Sequence, residues 1–415
     1  MTKPHQTYLD PPPIHPAQIT ASADLRYLLI DTLQTLLQQT NHTLIAPPKS
    51  TLDPETFLNS LKTHPNIYQA SMSRQFAADF SPDIEQTTLK DEPKDWYIKT
   101  ADFGDTHDRP LQHRDGEYTQ LLEDLATYHQ ILQNHCDRII VLRPHNYGSY
   151  DVLLNAAMRC LGYSPAQFQY ITIQPMKLYA FHKPSKQLHA IPDLHPNELL
   201  KAIGMDALRW HSLSTPLTEP APMNISTAGQ PTPQDSLYRI QSVHSHCCTL
   251  LQQAHQQGII ELNTAEDWQI TPTITSLVDC IWDNPHATTL ANQIQSTAEV
   301  LQHSAQEVAP HLLCQHLVEM SKTCHQWFNS LTLNPDNYAL LLRTKQTIFL
   351  VLSTILGINS AFIKETKFLW WDIPIGDWPR LTQLWKLHYS HWGQQQKKLG
   401  CQNLDNRWPI TGAIA

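Results

Sequence analysis

The feature that most constrains this chain is a change of hydrophobic period part-way along it. Up to about residue 197, short apolar runs alternate with amphipathic stretches, whereas beyond it apolar residues recur three and four apart over long segments. The first pattern builds an α/β layer and the second a helical bundle, so two kinds of core are expected in series. Upstream, Arg138 to Leu142 reads as a buried strand, Asp151 to Leu161 as a helix carrying Leu153, Leu154, Ala157 and Leu161, and Gln169 to Ile173 as a second strand. Gly162 suits the position just past a helix end, and Ser164 and Pro165 suit the short loop after it, so the two strands are expected to be parallel and joined by a right-handed crossover. Nearer the N-terminus, Ala23 to Gln39 places Leu25, Leu29, Leu33, Leu36 and Leu37 on one helical face. Thr43 to Ala46 then reads as a short strand closed by Pro47 and Pro48. That pair is expected to be a helix and strand of the same α/β layer.

Downstream, Leu290, Ile294, Leu301, Ala305 and Val308 form one stripe, Leu313, Leu317, Met320, Cys324 and Trp327 a second, and Leu341, Ile348, Leu352 and Ile355 a third that stops at Gly357. Pro310 and Pro335 separate the stripes at spacings suited to antiparallel neighbours in a bundle. The expected organisation is therefore an α/β domain over 1–205, an all-α bundle over 206–363 and an extension over 364–415. Trp370, Trp371, Trp378, Trp385, Trp392 and Trp408 are spread along the extension. They read either as buried anchors or as an interface for a protein partner.

Length and charge narrow the partners. A chain of 415 residues exceeds what one typical core supports, which agrees with two or three domains. The net charge of −9 requires any polyanionic partner to be met by a local basic patch. The eight cysteines contain no CxxC, and the adjacent Cys247 and Cys248 cannot form half of a zinc ribbon, so reduced thiols are expected and no metal site is assigned. His244 with Cys247 or Cys248 supplies only two ligands on one helical face. The N-terminal segment has no signal-peptide core, and the apolar stretch Thr347 to Ile358 is too short to span a bilayer. A cytoplasmic protein with no membrane partner is expected.

Four letters narrow the choice further. Gly204-Met205-Asp206-Ala207-Leu208-Arg209 contains the DALR tetrapeptide, preceded by Asn197-Glu198-Leu199-Leu200-Lys201-Ala202-Ile203 and followed by Gln241-Ser242-Val243-His244. This order resembles the anticodon-binding domain of arginyl-tRNA synthetases, including that family's Gln-Tyr-Ala-His segment. Upstream, Thr100-Ala101-Asp102-Phe103-Gly104-Asp105, Asp108-Arg109, Asp115-Gly116-Glu117-Tyr118-Thr119 and Asp124-Leu125-Ala126-Thr127-Tyr128-His129 are similar to the family's catalytic insert and the strand after it, and form the most specific match. The resemblance covers roughly Asp95 to Ile358. It implies a class I synthetase-like Rossmann domain followed by a helical-bundle DALR domain.

The same resemblance implies that the chemistry has changed. Class I synthetases bind phosphate at a helix N-terminus through a HIGH motif. Aligning Leu25-Arg26 with the Leu-Arg that follows it puts Ala21-Ser22-Ala23-Asp24 in its place. Using Ile14-His15-Pro16-Ala17-Gln18 instead keeps one histidine, His15, but puts Pro16 and Ala17 where a backbone donor and a glycine are needed. Where the KMSKS loop is expected stands Lys183-Pro184-Ser185-Lys186-Gln187-Leu188-His189-Ala190, so Lys186 is kept and His189 replaces the second lysine. A neutral imidazole there forfeits about 3 to 4 kcal/mol of transition-state stabilisation, on the scale of one lost charge-stabilising group. The family's guanidinium-binding tyrosine and aspartate, four residues apart, correspond to Gln120 and Asp124, and the acidic residue of its Gly-Ala-Asp-His-His-Gly-Tyr turn to Asn146 in Pro144-His145-Asn146-Tyr147-Gly148-Ser149-Tyr150. Asp124 thus reads either as a cation ligand or as a solvated helix residue.

In the helical domain Arg209 reads as a tRNA contact or as a carboxylate-held brace, with the brace favoured. Tyr238, Gln241 and His244 read as anticodon-side candidates. The leading expectation is an arginyl-tRNA synthetase-like, tRNA-binding protein with a degenerate charging site, its ligand a tRNA of the arginine family. An active divergent ligase would press His15, Lys186 and Asp124 into service with ATP and Mg2+. A third reading is a protein-interaction scaffold.

Overall fold

A computed structural model describes residues 5–11, 24–26, 29–40, 42–46, 52–79, 93–134, 136–145, 150–182, 187–262, 268–270, 284–332 and 334–360. His15, Asn146, Lys186 and the Trp-rich extension lie outside them. The first elements are β1 (His5–Asp10), α1 (Ile30–Gln38), β2 (His42–Leu44), α2 (Pro54–Leu61), β3 (Ile67–Ala70), α3 (Arg74–Asp79), β4 (Asp95–Ile98) and β5 (Arg109–Gln112). Then come α4 (Gln120–Gln133), β6 (Arg138–Pro144), α5 (Tyr150–Cys160), β7 (Phe168–Ile173), β8 (Met176–His182), β9 (Gln187–Ala190), α6 (Pro196–Ile203), α7 (Met205–Leu213) and β10 (Ala221–Asn224). The chain continues through α8 (Ser236–Gln256), β11 (Ile260–Leu262), β12 (Trp268–Ile270), α9 (Pro285–Glu307), α10 (His311–Phe328) and α11 (Pro335–Phe349), which runs on as a π-helix over Leu350–Ile355.

Two compact units result: residues 1–13 with 41–173, and residues 14–40 with 174–415. In the first, β2, β1, β6 and β7 form a parallel sheet in that order. Ile139, Ile140, Val141 and Leu142 of β6 are all fully buried, the run of apolar residues that a strand covered on both faces requires. The βαβ unit β6-α5-β7 agrees with the sequence reading, and Gly162 has the expected positive φ of 91° after α5. Leu122 and Leu125 of α4, Leu154 and Ala157 of α5 and Phe57 of α2 share one core with Ile139 and Val141. A small antiparallel sheet, β3-β4-β5, completes the unit.

The second unit contains the bundle. Sequence signals set its helix starts: Asn284 accepts a hydrogen bond from the His286 N–H ahead of Pro285, and Asn334 one from the Asn337 N–H ahead of Pro335. Helices α8, α9, α10 and α11 pack on one another. The expected stripe residues Leu290, Leu301, Ala305, Leu313, Leu317, Met320, Cys324, Trp327, Leu341, Ile348, Leu352 and Ile355 are buried. A sheet of β10, β8 and β9 shares a core with Leu199 and Ile203 of α6 and Ala207 and Leu208 of α7.

Two expectations differ from the structure. The helix read from Ala23 begins at Ile30, and α1 belongs to the second unit, where it packs on α9 and on Leu350–Ile355. Its leucines are buried as expected, but periodicity identifies an apolar face without identifying what covers it. The units also meet between residues 173 and 174 instead of near 205, because Leu25, Met176 and Leu178 join the core of α6 and α7. Among the described residues, no helix is long and apolar enough to cross a membrane.

Candidate functional site

The chain leaves β1 toward β2 on one side and returns to β6 on the other, so the C-terminal ends of β1 and β6 flank the topological switch point. Open α/β sheets bind ligands at that position. Asp10 is the last residue of β1, and Arg143 is the penultimate residue of β6. Nη2 of Arg143 lies 2.6 Å from Oδ2 of Asp10. The Tyr128 hydroxyl donates to the same oxygen at 2.7 Å and accepts from Nη2 at 3.3 Å. Nη1 donates to the carbonyls of Pro11 at 2.9 Å and Leu142 at 2.8 Å. Burial, reinforced by Asp10, pushes the Tyr128 pKa far above its ordinary value, so the phenol keeps the proton it donates. Burial alone would lower the Arg143 pKa, but Asp10 and Tyr128 outweigh it and hold the guanidinium charged. Sequence reasoning did not single out Arg143. The available signal was a charged residue directly after a fully apolar strand run.

Gln120, Asp124 and Tyr128 recur every four residues on α4 and so share one face. Their exposure falls along that row, from exposed Gln120 through half-buried Asp124 to buried Tyr128. Oδ2 of Asp124 accepts from the Tyr150 hydroxyl at 2.6 Å, and Oδ1 from Nε2 of Gln120 at 3.0 Å. Burial, with Asp124 adding to it, raises the Tyr150 pKa well above normal, so this phenol also remains a donor. The structure thus brings Gln120 and Asp124 together and adds Tyr150. A cation arriving from solvent would have to displace both donors.

Of the other signature positions, Leu25 and Arg26 are buried and His189 is exposed. Leu25 is buried in the core around α6 and α7. Arg26 is 1% exposed and donates to the carbonyls of Gln174, Ser212, Thr215, Pro216 and Glu219 at 2.6 to 3.0 Å. His189 lies on the exposed strand β9 with its ring 5.0 Å from that of His182. The run from Thr100 to Arg109 holds itself together. Asp108 binds Arg74 at 2.5 Å and the Tyr68 hydroxyl at 2.8 Å, and Asp105 takes two hydrogen bonds from Arg109 at 2.7 and 2.8 Å. Burial raises the Asp108 pKa, but hydrogen bonds from Arg74 and Tyr68 bring it below the usual carboxylate range.

Each letter of the DALR motif has a packing role. Ala207 and Leu208 are 2% and 4% exposed. Asp206 accepts from the Asn359 side chain at 2.6 Å. Arg209 lies 2.8 Å from Asp31 and donates to Thr32 at 3.3 Å, so its carboxylate brace is Asp31. Gln241 and His244, read from the sequence as anticodon-side candidates, point into the bundle. Both are buried, and Gln241 donates to the Asn359 carbonyl at 2.7 Å. Burial, with Lys345 adding to it, lowers the His244 pKa to about 3. The helix was recognisable from its motif, but α8 packs against both α10 and α11, which turns this face inward. Tyr238 remains half-buried. Beside it, Arg239 and His246 of α8 lie near His325 and Phe328 of α10. The His246 ring is 4.7 Å from that of Phe328, and the His325 ring is 6.4 Å away, edge-on. The buried Nε of Arg239 has no hydrogen-bond partner among the described residues.

Comparison with known proteins agrees with this division. The family model of the DALR anticodon binding domain matches residues 240–360. An arginine–tRNA ligase of Ureaplasma parvum serovar 3 is 26% identical over 280 residues, covering 66% of this chain and 47% of that protein. That of a Synechococcus strain is 23% identical over 382 residues, covering 84% and 61%. The chain spans about half the length of most of the curated relatives it matches. Among solved structures, a provisionally assigned arginyl-tRNA synthetase from Campylobacter jejuni superposes with a TM-score of 0.60 at 14% identity, covering 88% of this chain and 95% of that one. The Thermus thermophilus arginyl-tRNA synthetase gives 0.52 at 14% identity, covering 82% and 63%. The chain thus carries a DALR anticodon-binding domain over residues 240–360 and is similar in sequence to arginyl-tRNA synthetases, and it has the class I synthetase fold with a Rossmann-like core.

Proposed function

We propose that the protein binds tRNA through its helical unit and does not charge it, the α/β unit serving as scaffold. The observation that carries the proposal is the coincidence of the matched anticodon-binding model, residues 240–360, with the bundle built from α8 to α11. The RNA-facing surface is assigned to the seam of α8 and α10. There the imidazoles of His246 and His325 flank Phe328, and Arg239 lies beside His325. Aromatic faces stack on unpaired bases, and a local cation meets phosphate on a chain whose net charge is −9. Loss of charging is supported by the replaced signature residues and by Asp124, whose two oxygens are held by Tyr150 and Gln120.

The test measures binding of labelled total tRNA at two salt concentrations, with arginine-dependent pyrophosphate exchange run in parallel. Saturable, salt-weakened binding without exchange is expected. Exchange above background would favour the active ligase using ATP and Mg2+, and absence of tRNA binding would leave the protein-interaction scaffold. A panel of isolated tRNAs tests whether the arginine family is preferred.

A further inference from the structure

We infer that His182 and His189, on the adjacent strands β8 and β9, form a binding site for a divalent transition-metal ion. The strand pairing fixes their relation. His182 lies opposite Gln187 and His189 opposite Ala180. Side chains alternate between faces along a strand, so Ala180, His182, Gln187 and His189 share one face, with the two histidines as diagonal neighbours. Both are exposed, and their ring centroids are 5.0 Å apart with the planes at 60°. A metal–nitrogen bond of about 2.0 to 2.1 Å puts each ring centroid about 3.2 Å from the ion, so two imidazoles on one ion stand about 4.5 Å apart at a right angle and about 5.2 Å apart at the tetrahedral angle. The observed spacing lies between these limits.

The backbone beneath the pair is held on both strands. The Phe181 N–H donates to the Ser226 hydroxyl at 3.0 Å, and the Ile191 N–H to the Leu178 carbonyl at 3.0 Å. Exposed rings turn about their side-chain bonds on picosecond to nanosecond timescales, so each aims a nitrogen at a shared point while the strands stay in place. Among the described residues no cluster of three histidines, cysteines or carboxylates forms. The remaining positions on the ion therefore go to water or to the amide oxygen of Gln187, which stands across from His182 on the same face. Neutral imidazoles completed by water suit Zn2+, Ni2+ and, most tightly, Cu2+, and suit Mg2+ poorly. A second histidine pair, His5 and His42, has its rings 5.6 Å apart, but Nδ1 of His42 is engaged by Thr7 and the nearby Arg138 opposes a cation there. The inference goes beyond the proposed function and is independent of tRNA binding.

The experiment titrates the full chain with Cu2+ and, separately, with Zn2+ against a chromophoric chelator, for wild type, His182→Asn, His189→Asn and, as a control on α9, the exposed His303→Asn. The copper-loaded samples are also read by electron paramagnetic resonance, which counts the imidazoles on the ion. Wild type is expected to hold its tightest ion on two imidazoles. His182→Asn and His189→Asn are each expected to bind both metals at least about tenfold more weakly, because the second ligand no longer adds its effective concentration to the first. Each then shows one imidazole fewer in the copper spectrum, whereas His303→Asn matches wild type. All three variants should keep the metal-free Tm, since the side chains replaced are exposed. Wild-type affinity in either hairpin variant, a copper spectrum that neither changes, or an equal loss in His303→Asn would overturn the inference and leave adventitious binding to surface histidines.

Discussion

Replacement of Arg26 tests how far the second unit depends on one buried side chain. Its guanidinium ties the residue 24–26 turn to the carbonyl of Ser212 in the last turn of α7, to three carbonyls of the loop that follows, and to Gln174 just ahead of β8. Helix ends carry unpaired carbonyls and partial negative charge, so a buried cation here acts as a C-terminal cap that also closes the loop. Arg26→Met keeps most of the stem volume and removes all five bonds. Pro216 also accepts from the Glu219 N–H and so is not left wholly unpaired. Counting about 1 kcal/mol net for each lost bond, with reduced weight for that one, gives a destabilisation of about 4 kcal/mol. Arg26→Lys keeps the charge but reaches at most three carbonyls, so about 2 kcal/mol is expected. Urea unfolding of the full chain, combined with hydrogen exchange of the α7 amides, reads both values. A change below about 1 kcal/mol for Arg26→Met would refute the account, as would an Arg26→Lys variant less stable than Arg26→Met.

Three other outcomes are expected. His244 is held neutral in the fold with a pKa of about 3, below the ordinary 6.5, so the unfolded chain binds the extra proton. Its contribution is complete above about pH 6.5 and lost as pH falls toward 3, amounting to about 2 kcal/mol between pH 7.5 and 5; Tm measured at both pH values should show a smaller acid loss in His244→Leu. Gly229 has φ of 69°, and an added Cβ would approach the Ile203 carbonyl oxygen to 2.2 Å. Gly229→Ala should therefore cost about 2 to 4 kcal/mol in urea unfolding, and a neutral result would show that the loop can move aside. Arg239→Ala is expected to weaken tRNA binding about tenfold and to reduce the slope of log K against log salt by about 0.7 to 0.9, as read by fluorescence anisotropy at several salt concentrations. An unchanged slope would remove Arg239 from the RNA surface.

The helices of the bundle and the β6-α5-β7 unit were legible because each carries a clean period and a stop signal: Gly162, Pro310, Pro335 and Gly357. The family was legible from DALR and its neighbours, but the motif did not reveal which of its side chains face inward. Gln241 and His244 lie on the buried side of α8 with Val243 and Cys247, a fact set by which helices surround α8 and not by its own residues. The run from Thr100 to His129 gave the most specific match, and its first part, Thr100 to Arg109, is ion-paired around β4 and β5. Arg143 escaped notice because its partner Asp10 is 133 residues distant, and no local pattern encodes a pairing across that separation.

The route of the chain between the two units bears on how the protein is made. Strands β1 and β2 are neighbours in one sheet, yet the segment joining them belongs with residues beyond 174. The leucine face of α1 is covered by α9, whose synthesis begins about 250 residues later. At ribosomal speeds, α1 waits roughly 10 to 50 s for that cover. The second unit therefore cannot finish folding until long after its first helix has been synthesised. Cutting the gene at residue 173 or 205 would strand α1 without its partner, whereas a nascent-chain chaperone that shields amphipathic helices would act on this protein before its first sheet is complete.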